Sequence, residues 1–520
     1  MRRASRPLPP TRRGACPALS APMATGDGLL VRLVPADGAL APAQLAGLCQ
    51  AARGFGNGLL EVSARGSLQM RGLSEETIGG LRAAVTALAI APREGVPLDL
   101  SPLAGRDVSE ITDARPLARR LKDAIAEAGL AERLGPKVSV VLDGGGAVRL
   151  DALSADVRLV AVPGADGMMW ALALAGDAAT ARPVALLPEA EAAAAVLALL
   201  CRLAALGRDA RMADLLRAEA ATVSPPPPPD APLPLPPCGG GMGRGVRAPV
   251  AASGAGARGN GAAATPPTLP SPGRGEGGPS GAAGASEERA RSRRPAPPIG
   301  RFPLADSSVA QGVGLPFGQI EAETLAALAD AARRAGARDL RPAPGRALIA
   351  TGLSADAAEA FAADAARRGF LTRPDDPRLS VAACPGAPAC RSAHMPARAL
   401  AGAVAAALAP ILDGSVAVHL SACTKGCAHP APAALTFVGM DEGIALVREG
   451  NASAAARADF AVAALLPRLD ALARAVAEGR RAGEDTATAL ARLVGAPTAT
   501  RTTDHAAHED AVTPAPLAHP

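Results

Sequence analysis

Two segments of the chain, 280 positions apart, carry the same order of hydrophobic and polar residues. Leu45 and Leu48 are spaced for one helical face in the first segment, and Leu325 and Leu328 repeat this spacing in the second. Each pattern predicts a helix ended by a glycine, then a strand, then a Gly-Leu-Ser step that opens a second helix. The chain therefore contains a duplicated β-α-β-like unit, which we expect to pack about a pseudo-two-fold axis. Further matched positions are Gly56 and Gly336, Leu60 and Leu340, Leu68 and Leu348, and Gly72-Leu73-Ser74 and Gly352-Leu353-Ser354.

A longer stretch of alternating helix and strand patterns follows each unit. The first predicts a helix over 117–130 and a strand over 138–142, and the glycines after Asp143 permit a tight turn. The second predicts a strand over 380–383 and a helix over 397–411. Each stretch is typical of an α/β domain. For the whole chain, with its duplicated units and these two domains, we predict an α+β fold. Further strands are predicted near 148–150, 157–162, 169–174, 416–421 and 435–438, and a further helix over 190–206.

Three segments have compositions that do not support a packed core. Residues 224–300 are dominated by Pro, Gly, Ala, Ser and Arg, and we expect a disordered linker there. Residues 1–27 are expected to form a disordered extension, with translation starting at Met1 or Met23, and residues 497–520 a disordered tail. Folded domains are predicted over 28–92, 100–222, 301–376 and 377–496.

Composition and charge narrow the function classes. The net charge is only +5, aromatic residues make up 2% of the chain and Tyr is absent, so side chains for stacking on nucleic-acid bases are scarce. No stretch of about 18 uncharged apolar residues predicts a membrane span. The N-terminus lacks the apolar region of a signal peptide. We therefore predict a cytoplasmic protein without a nucleic-acid or membrane partner.

Four of the eight cysteines fall within 44 positions, as Cys384-x5-Cys390 and then Cys423-x3-Cys427. Each pair follows a predicted strand, and the Pro and Gly residues between the cysteines let the backbone turn tightly. Four thiolates that converge on one centre are the ligand set of a [4Fe–4S] cluster in a reducing compartment. A structural zinc site and four unrelated core cysteines are the alternatives. The other cysteines are scattered at Cys16, Cys49, Cys201 and Cys238.

All six histidines lie in two regions of the chain. His394, His419 and His429 flank the clustered cysteines, and each is a candidate metal ligand or proton donor. The other three lie in the predicted tail and are expected to be solvated; they are His505, His508 and His519.

The cysteine segments resemble those of a known superfamily. VAACPGAPAC followed by HLSACTKGCAHPAPAALTFVG is similar to the cluster-binding segments of sulfite and nitrite reductases. LEVSARGSLQMRGL, residues 60–73, resembles their cofactor-contacting strand, and GPKVSVVLDGGG, residues 135–146, resembles a strand of the next domain. The resemblance covers nearly all of the chain outside the tails and the linker. It implies two ferredoxin-like half-domains and two α/β reductase-type domains, the last of which carries the [4Fe–4S] cluster.

The resemblance also implies a tetrapyrrole site. In the reductases, sirohaem lies on the cluster and shares the cysteine that matches Cys427. Arginine forks suit the carboxylates of a tetrapyrrole, and alternate residues on a strand share one face, as Arg65, Gln69 and Arg71 would. The candidate contacts are Arg65, Gln69, Arg71, Lys137 and Arg346.

Departures from the reductase pattern favour a second branch, the precorrin-3B synthases. Reductases typically carry Lys-x-Lys where this chain has Lys137, Val138 and Ser139, so one cation for a bound anion is missing. SPLAG and CTKGCAHP are closer to the precorrin-3B synthase pattern. That pattern implies oxygen-dependent hydroxylation and lactone formation on precorrin-3A in cobalamin biosynthesis.

The cofactors and partners implied by the precorrin-3B synthase pattern are the cluster, a mononuclear non-haem iron, dioxygen and an electron donor. No catalytic residue is assigned on this basis. A sirohaem-dependent sulfite or nitrite reductase and a non-catalytic iron–sulfur electron carrier or sensor are the alternatives.

Overall fold

The structure, a computed structural model, describes residues 17–165, 167–222 and 297–494. The predicted tail, nearly all of the predicted linker, and both Cys16 and Cys238 lie outside the described residues. The four folded parts, within the described residues 17–218 and 297–494, belong to one compact unit. None of the helices in the described ranges combines the length and the apolar character needed to span a membrane.

The first half-domain is an antiparallel sheet whose apolar face is covered by helices. Its elements are β1 Met23–Thr25, β2 Gly28–Leu33, α1 Pro42–Phe55, β3 Leu59–Val62, β4 Leu68–Leu73 and α2 Ile78–Ala87. α1 has a proline in its first turn, and the side chain of Gln44 accepts a hydrogen bond from the Ala41 N–H at 2.8 Å. The prediction of disorder over residues 1–27 is wrong for β1, because Met23–Thr25 pairs with β2.

The first α/β domain follows, and its five strands lie in the sheet in the order in which they occur along the chain. Its first three strands are parallel and the last two antiparallel. The strand predicted near 148–150 is a loop. Val148 packs against Leu304 and Ile349 of the second half-domain, so its apolar character reflects burial between domains. The elements are β5 Leu98–Leu100, α3 Arg115–Glu127, α4 Leu130–Arg133, β6 Val140–Asp143, β7 Ala155–Gly164, β8 Gly167–Gly176, β9 Arg182–Pro188, α5 Glu189–Ala205 and α6 Met212–Thr222.

The second half-domain repeats the first. Its elements are β10 Gly300–Pro303, β11 Val309–Gly314, β12 Gln319–Glu321, α7 Ala322–Arg334, β13 Asp339–Ala343, β14 Ala347–Leu353 and α8 Ala355–Arg367. Ser354, of the second Gly-Leu-Ser step, caps α8, since its hydroxyl accepts a hydrogen bond from the Ala357 N–H at 3.2 Å. The matching Ser74 closes a turn instead, and α2 begins only at Ile78.

The last α/β domain contains the four candidate cysteines, and its four strands lie in the sheet in the order in which they occur along the chain. As in the first α/β domain, three parallel strands are followed by an antiparallel one. The repeat therefore extends to both α/β domains. The elements are β15 Val381–Ala383, α9 Ala397–Leu408, β16 Val418–Ser421, β17 Ala433–Met440, β18 Gly443–Gly450, α10 Leu465–Gly479 and α11 Thr486–Val494.

The two half-domains exchange backbone segments across the pseudo-two-fold axis. β12 of the second half-domain joins the first sheet, with Ile320 opposite Leu60. In return, Leu40 pairs with Leu340, and the two N–H···O bonds are 2.9 and 2.8 Å long. With the shift of 280 positions, Leu40 matches Ile320 and Leu340 matches Leu60, so the two pairs are equivalent. α1 and α7 lie in one shared apolar core, so the half-domains form one folded body.

A carboxyl group in the first α/β domain is only partly satisfied. Oε2 of Glu110 accepts from the Gly105 N–H at 2.6 Å, while Oε1 is buried without a hydrogen-bond partner among the described residues. Burial, together with the nearby charges of Asp107 and Asp113, raises the pKa of Glu110 to about 7. The folded state is therefore more stable when the carboxyl of Glu110 is protonated than when it is ionised.

We expect Glu110 to weaken the fold as the pH rises. Because its folded pKa lies above its ordinary value, its contribution is fully present below that ordinary value and is lost as the pH rises through about 7. The Gln side chain of Glu110→Gln cannot ionise. The free energy of unfolding of this variant, relative to that of the native chain, should therefore be higher at about pH 8 than at about pH 5. Urea unfolding at both pH values measures the gain, and an unchanged difference would contradict the expectation.

Candidate metal centre

Two parallel strands bring the candidate cysteines to one edge of the last sheet. β15 ends at Ala383 and leads directly into Cys384, and β16 ends two residues before Cys423. Ala383 lies opposite Leu420 in the parallel ladder, so both strands end at the same edge. The N–H of Ala422 donates to Sγ of Cys384 at 3.2 Å. The two cysteine loops are therefore neighbours in the fold.

Two glycines let the loops turn towards each other. Gly386 has φ 73° and Gly426 has φ 64°, in the left-handed region that disfavours residues with a Cβ. A Cβ at Gly386 would lie 2.4 Å from the backbone nitrogen of Ala397, so a larger residue does not fit. Lys425 of the second loop donates to Ser392 of the first at 2.7 Å. The loops are thus held in close contact.

The cysteine sulfur atoms influence one another electrostatically. Burial raises the pKa of Cys384, and the nearby Cys427 and Cys423 raise it as well. Burial also raises the pKa of Cys427, with further contributions from Cys423 and Cys390. Like charges this close oppose joint ionisation unless a metal neutralises them. Cys384 is buried and Cys427 is exposed, so the centre opens to solvent on the Cys427 side.

A cluster and a single ion place different demands on the spacing of their donors. In the part of the chain that the structure describes, no three His, Cys, Asp or Glu side chains lie close enough to hold one metal ion. Four thiolates on one zinc ion would each lie about 2.3 Å from it, in mutual contact. A [4Fe–4S] cube separates its thiolates more widely and does not require three donors around one point.

A row of polar side chains crosses the first half-domain sheet on the face away from its helices. Arg32, Gln69 and Glu61 lie side by side on β2, β4 and β3. Arg32 donates to Gln69, and Gln69 to Glu61, each at 2.8 Å. Arg398 of α9 donates to Glu61 at 2.6 Å and to Gln319 at 2.8 Å. This polar row therefore connects the first half-domain to the cysteine domain.

Arg71 links the same sheet to the first cysteine loop. It is 4% exposed, and its guanidinium forms two hydrogen bonds of 3.0 Å with the carboxylate of Asp27. It also donates to the carbonyl of Ala389 at 2.7 Å, and the Gly26 N–H donates to the same carbonyl at 3.0 Å. These bonds hold the loop that ends at Cys390. Arg71 thus already has protein partners on both sides.

Arg65 lies in the turn between β3 and β4, because β4 begins three residues later. The prediction that Arg65 shares one strand face with Gln69 and Arg71 is therefore wrong, since the alternation of a strand does not extend into the turn. Arg65 donates to the carbonyl of Ser154 at 2.7 Å and forms an ion pair with Asp99. Its side chain is directed towards the first α/β domain.

A cavity of about 610 Å³ opens beside Arg65. Its lining carries many more basic than acidic side chains, which favours an anionic ligand with several carboxylates. Lys137 is not part of the lining and lies exposed just before β6. The basic lining residues are Arg65, Arg93, Arg106, Arg115, Arg119, Lys122 and Arg341, and the acidic ones are Asp37, Glu94 and Asp99.

The hairpin tips of the two half-domains touch each other. The Gly345 N–H donates to the carbonyl of Ala64 at 2.9 Å. The neighbouring Arg346 donates to the carbonyl of Ala428 at 2.7 Å, directly after the last candidate cysteine. Arg346 has φ 66°, where the first unit has Gly66. A side chain in this conformation costs roughly 1–2 kcal/mol, so the fold retains a strained arginine beside the cysteine loop.

Comparisons with known proteins agree with this arrangement. Residues 21–88 match the family model described as the nitrite/sulfite reductase ferredoxin-like half domain. A relative from Sinorhizobium sp, named precorrin-3B synthase, is 35% identical over 482 residues, which cover 93% of each chain. This chain belongs to the precorrin-3B synthase family. The preference for this branch over the reductases is thereby confirmed.

A solved structure extends the likeness to the whole fold of this precorrin-3B synthase family member. The NirA protein of Mycobacterium tuberculosis matches with a TM-score of 0.58 at 18% identity, covering 89% of this chain and 83% of that one. At this identity the likeness concerns the fold alone. It confirms the predicted α+β fold with duplicated half-domains and two reductase-type α/β domains.

The three histidines near the cysteines differ in their surroundings. His394 is partly exposed, and its Nδ1 lies 2.9 Å from Asp441. His419 is fully buried, and burial, with the nearby charges of His429 and Arg346, lowers its pKa to about 3. The ring centres of His419 and His429 are 5.8 Å apart. Of the three histidines that flank the cysteines in the sequence, His394 is therefore a surface residue, whereas His419 and His429 are neighbours.

The sequence patterns did not single out four residues that lie at this centre. They are Asp27, Arg32, Glu61 and Arg398. Arg32 and Glu61 each stand between apolar neighbours in a strand pattern, which indicates that they face away from the core. That signal was available. Their partners, however, follow from strand register and domain packing, and Asp27 lies in a segment predicted to be disordered.

We expect Asp27→Ala to loosen the first cysteine loop. The change leaves the buried Arg71 with Glu61, 4.0 Å away, as its nearest printed carboxylate, and breaking a buried pair costs roughly 3 kcal/mol. Urea unfolding and iron retention after anaerobic gel filtration measure the two effects. Asp330→Ala, which removes an exposed ion pair with Arg333, serves as the control and should change neither. Equal stability of both variants would contradict the role of Asp27.

Proposed function

We propose that this chain is an iron–sulfur monooxygenase that hydroxylates precorrin-3A, with lactone formation, in aerobic cobalamin biosynthesis. The observation that carries the proposal is the 35% identity to a named precorrin-3B synthase along nearly the whole chain. Two features of the structure support it. Two parallel strands bring the cysteines to one sheet edge, and the cavity beside Arg65 is lined by more basic than acidic side chains.

Cys384, Cys390, Cys423 and Cys427 would hold a [4Fe–4S] cluster through their thiolates. When bound, the cluster supplies single electrons. The chain contributes a backbone N–H that donates to Sγ of Cys384, and hydrogen bonds to cluster sulfur atoms tune the reduction potential. The protein also keeps the first loop in place through Arg71. These features support electron delivery towards the exposed side at Cys427.

The substrate class follows from charge. A precorrin carries many acetate and propionate carboxylates, and each charge-assisted hydrogen bond to one contributes about 1.5–3 kcal/mol. The cavity beside Arg65 offers several guanidinium groups within one space. The touching hairpin tips carry Arg65, which lines this cavity, and Arg346, which contacts the second cysteine loop.

The five predicted tetrapyrrole contacts have unequal support. Arg65 lines the cavity, and Arg346 lies at the rim of the cysteine loop. Gln69 belongs to the polar row that faces the cysteine domain. Arg71 is occupied by Asp27, so we assign it to holding the loop. Lys137 is exposed and would contact only a substituent that extends to the start of β6.

The segment from Lys137 to Ser139, just before β6, argues against reduction of a sulfite or nitrite ion. Ser139, which takes the place of the second reductase lysine, is buried, and its N–H donates to Asp156 at 3.1 Å. A neutral side chain there leaves Lys137 as the one cation of the pair. A sulfite or nitrite ion would lose a contact of about 1.5–3 kcal/mol. A carboxylate-rich macrocycle has no need of that second lysine.

The proposed reaction requires three further participants. Dioxygen supplies the hydroxyl oxygen, its other atom leaves as water, and an electron donor supplies the two electrons that balance the step. We include a mononuclear non-haem iron, which would activate dioxygen. The cluster held by the four cysteines would pass electrons from the donor to the substrate side.

We expect anaerobically purified protein to show a broad iron–sulfur absorbance without haem bands, because the proposed tetrapyrrole is a substrate. Iron should exceed acid-labile sulfide. Cys427→Ser should abolish the absorbance and the turnover of precorrin-3A together, whereas Cys49→Ser, at a buried position in the half-domain core, should keep both. Strong Soret and red bands from bound sirohaem would instead indicate a reductase, and an active Cys427→Ser enzyme without the absorbance would refute the cluster assignment.

We expect Arg65→Ala to weaken binding of precorrin-3A about tenfold to a hundredfold, the loss of one charge-assisted contact. Anaerobic fluorescence titration of the holoenzyme measures the affinity. Arg367→Ala, at an exposed position on α8, is the matched control and should bind normally. Unchanged affinity in Arg65→Ala would show that the macrocycle does not use the cavity.

A further inference from the structure

The cavity beside Arg65 contains a pair of arginines that is held by one buried aspartate. The carboxylate of Asp99, in β5, forms an ion pair with Arg65 and another, at 3.0 Å, with Arg93. Arg65 comes from the turn between β3 and β4, and Arg93 from the segment before β5. All three residues line the cavity. Since two cations surround one anion, this part of the wall carries a net positive charge.

A second pair of the same form lies elsewhere in the wall. The buried Asp339, in β13, forms ion pairs with Arg341 at 2.9 Å and with Arg106 at 3.3 Å. The fully buried Thr351 donates to the same carboxylate at 2.7 Å. Arg106 belongs to the first α/β domain and Arg341 to the second half-domain, and both line the cavity. The cavity thus has two fixed pairs of cations, contributed by different parts of the chain.

In each pair, one arginine has an unused edge of its guanidinium group. The side chain of Arg93 donates only through Nη1, to Asp99 and to a backbone carbonyl. That of Arg106 also donates only through Nη1, to Asp339 and Thr351. Nothing among the described residues accepts from Nε or Nη2 of either side chain. These two nitrogens form an edge on which a guanidinium can bind a carboxylate through two parallel hydrogen bonds.

The other two arginines have less capacity for a ligand. Arg341 uses Nε, Nη1 and Nη2 in bonds to the protein, and its side chain is only 13% exposed. Arg65 donates through both Nη1 and Nη2, which leaves Nε. The side chains of Arg93 and Arg106 are 28% and 26% exposed. Within the two pairs, Arg93 and Arg106 are therefore the residues that can hold a carboxylate by two bonds.

The rest of the wall indicates a large organic anion. Its volume of about 610 Å³ exceeds what one carboxylate or phosphate group fills. Apolar side chains also line it, and a compact inorganic anion would leave them in contact with water. These apolar residues are Val34, Pro35, Val96, Leu98, Pro102, Leu153, Pro342 and Pro344.

We infer that Arg93 and Arg106 each bind one carboxylate side chain of the macrocycle through the Nε–Nη2 edge, and so fix its orientation at two separate points. Asp99 and Asp339 hold the two edges in place. The identity of the macrocycle rests on the proposed function, whereas the two edges follow from the geometry of the cavity. A substrate with carboxylates on its periphery suits such a pair of forks.

The test measures binding of two macrocycles to the anaerobically purified holoenzyme by fluorescence titration. One is precorrin-3A, and the other is uroporphyrin, a stable porphyrin with acetate and propionate side chains. Arg93→Ala and Arg106→Ala should each bind both macrocycles about tenfold more weakly or worse. The double variant should show the product of the two losses, because the two arginines share no partner. Arg338→Ala, which removes an exposed ion pair with Asp306, is the matched control and should bind normally.

Lysine variants separate the fork from its charge. Arg93→Lys and Arg106→Lys should recover only part of the lost affinity, because an ammonium group cannot form the two parallel bonds. In turnover of precorrin-3A, the alanine variants should raise KM by a factor similar to their loss of affinity. Their kcat should stay within about twofold, since contacts kept throughout the reaction stabilise the ground state and the transition state alike.

The alanine variants should fold, because no buried carboxylate loses all its partners. Asp99 keeps Arg65 when Arg93 is replaced, and Asp339 keeps Arg341 when Arg106 is replaced. Urea unfolding and the cluster absorbance check this.

Native affinity of both alanine variants for the two macrocycles would overturn the inference, and so would full recovery in the lysine variants, which would indicate charge alone. If the native chain turns over precorrin-3A and both alanine variants keep its KM, the inference fails and the proposed function stands. If the native chain binds uroporphyrin through Arg93 and Arg106 but does not turn over precorrin-3A, the proposed function fails and the inference stands.

Discussion

The exchange of backbone between the two half-domains is the constraint on which the rest of the structure depends. Ile320 completes the first sheet beside Leu60, and Leu40 pairs in return with Leu340, so neither half-domain closes its edge alone. An unpaired sheet edge is a liability, and the exchange covers the β3 edge with a strand and the β13 edge with one bridged pair. Because it also brings the two hairpin tips together, segments far apart in the sequence border one centre. The cysteine loops, the polar row and the cavity all take their positions from this joint core.

Duplication creates two equivalent faces, and the sequence makes only one of them polar. On the first sheet, Arg32, Gln69 and Glu61 form a hydrogen-bonded row towards the cysteine domain. The matching positions on the second sheet are Gly312, Ile349 and Arg341. There the loops of the first α/β domain pack an apolar cluster, which includes Ile349, against the sheet. Apolar packing closes the second face, whereas the buried hydrogen bonds of the first specify how the cysteine domain docks.

Buried arginines connect the domains around the centre, and each has a defined partner. Arg71 is paired with Asp27, and Arg398 with Glu61, whose side chain is almost fully buried. Pairs of this kind contribute little net stability, because desolvation offsets their attraction, but breaking one is costly. They therefore act mainly by fixing the relative position of the half-domain sheet and the cysteine loops. The strained Arg346 has a similar role at the second loop, where backbone strain is tolerated for the sake of a contact.

The sequence alone determined the repeat, the fold class and the four cysteines, because periodicity and local spacing are properties of chain order. Lys137 followed by Ser139 likewise indicated which branch of the superfamily the chain resembles. Tertiary structure decided which charged groups are available. In the folded chain Arg71 is paired with Asp27, and Arg65 lies in a turn, not on the strand, where it lines a cavity. These outcomes follow from strand register and from packing between segments hundreds of residues apart, which no local pattern encodes. The pairing of His419 with His429 has the same origin, since only folding of the loop over the sheet brings the two rings together.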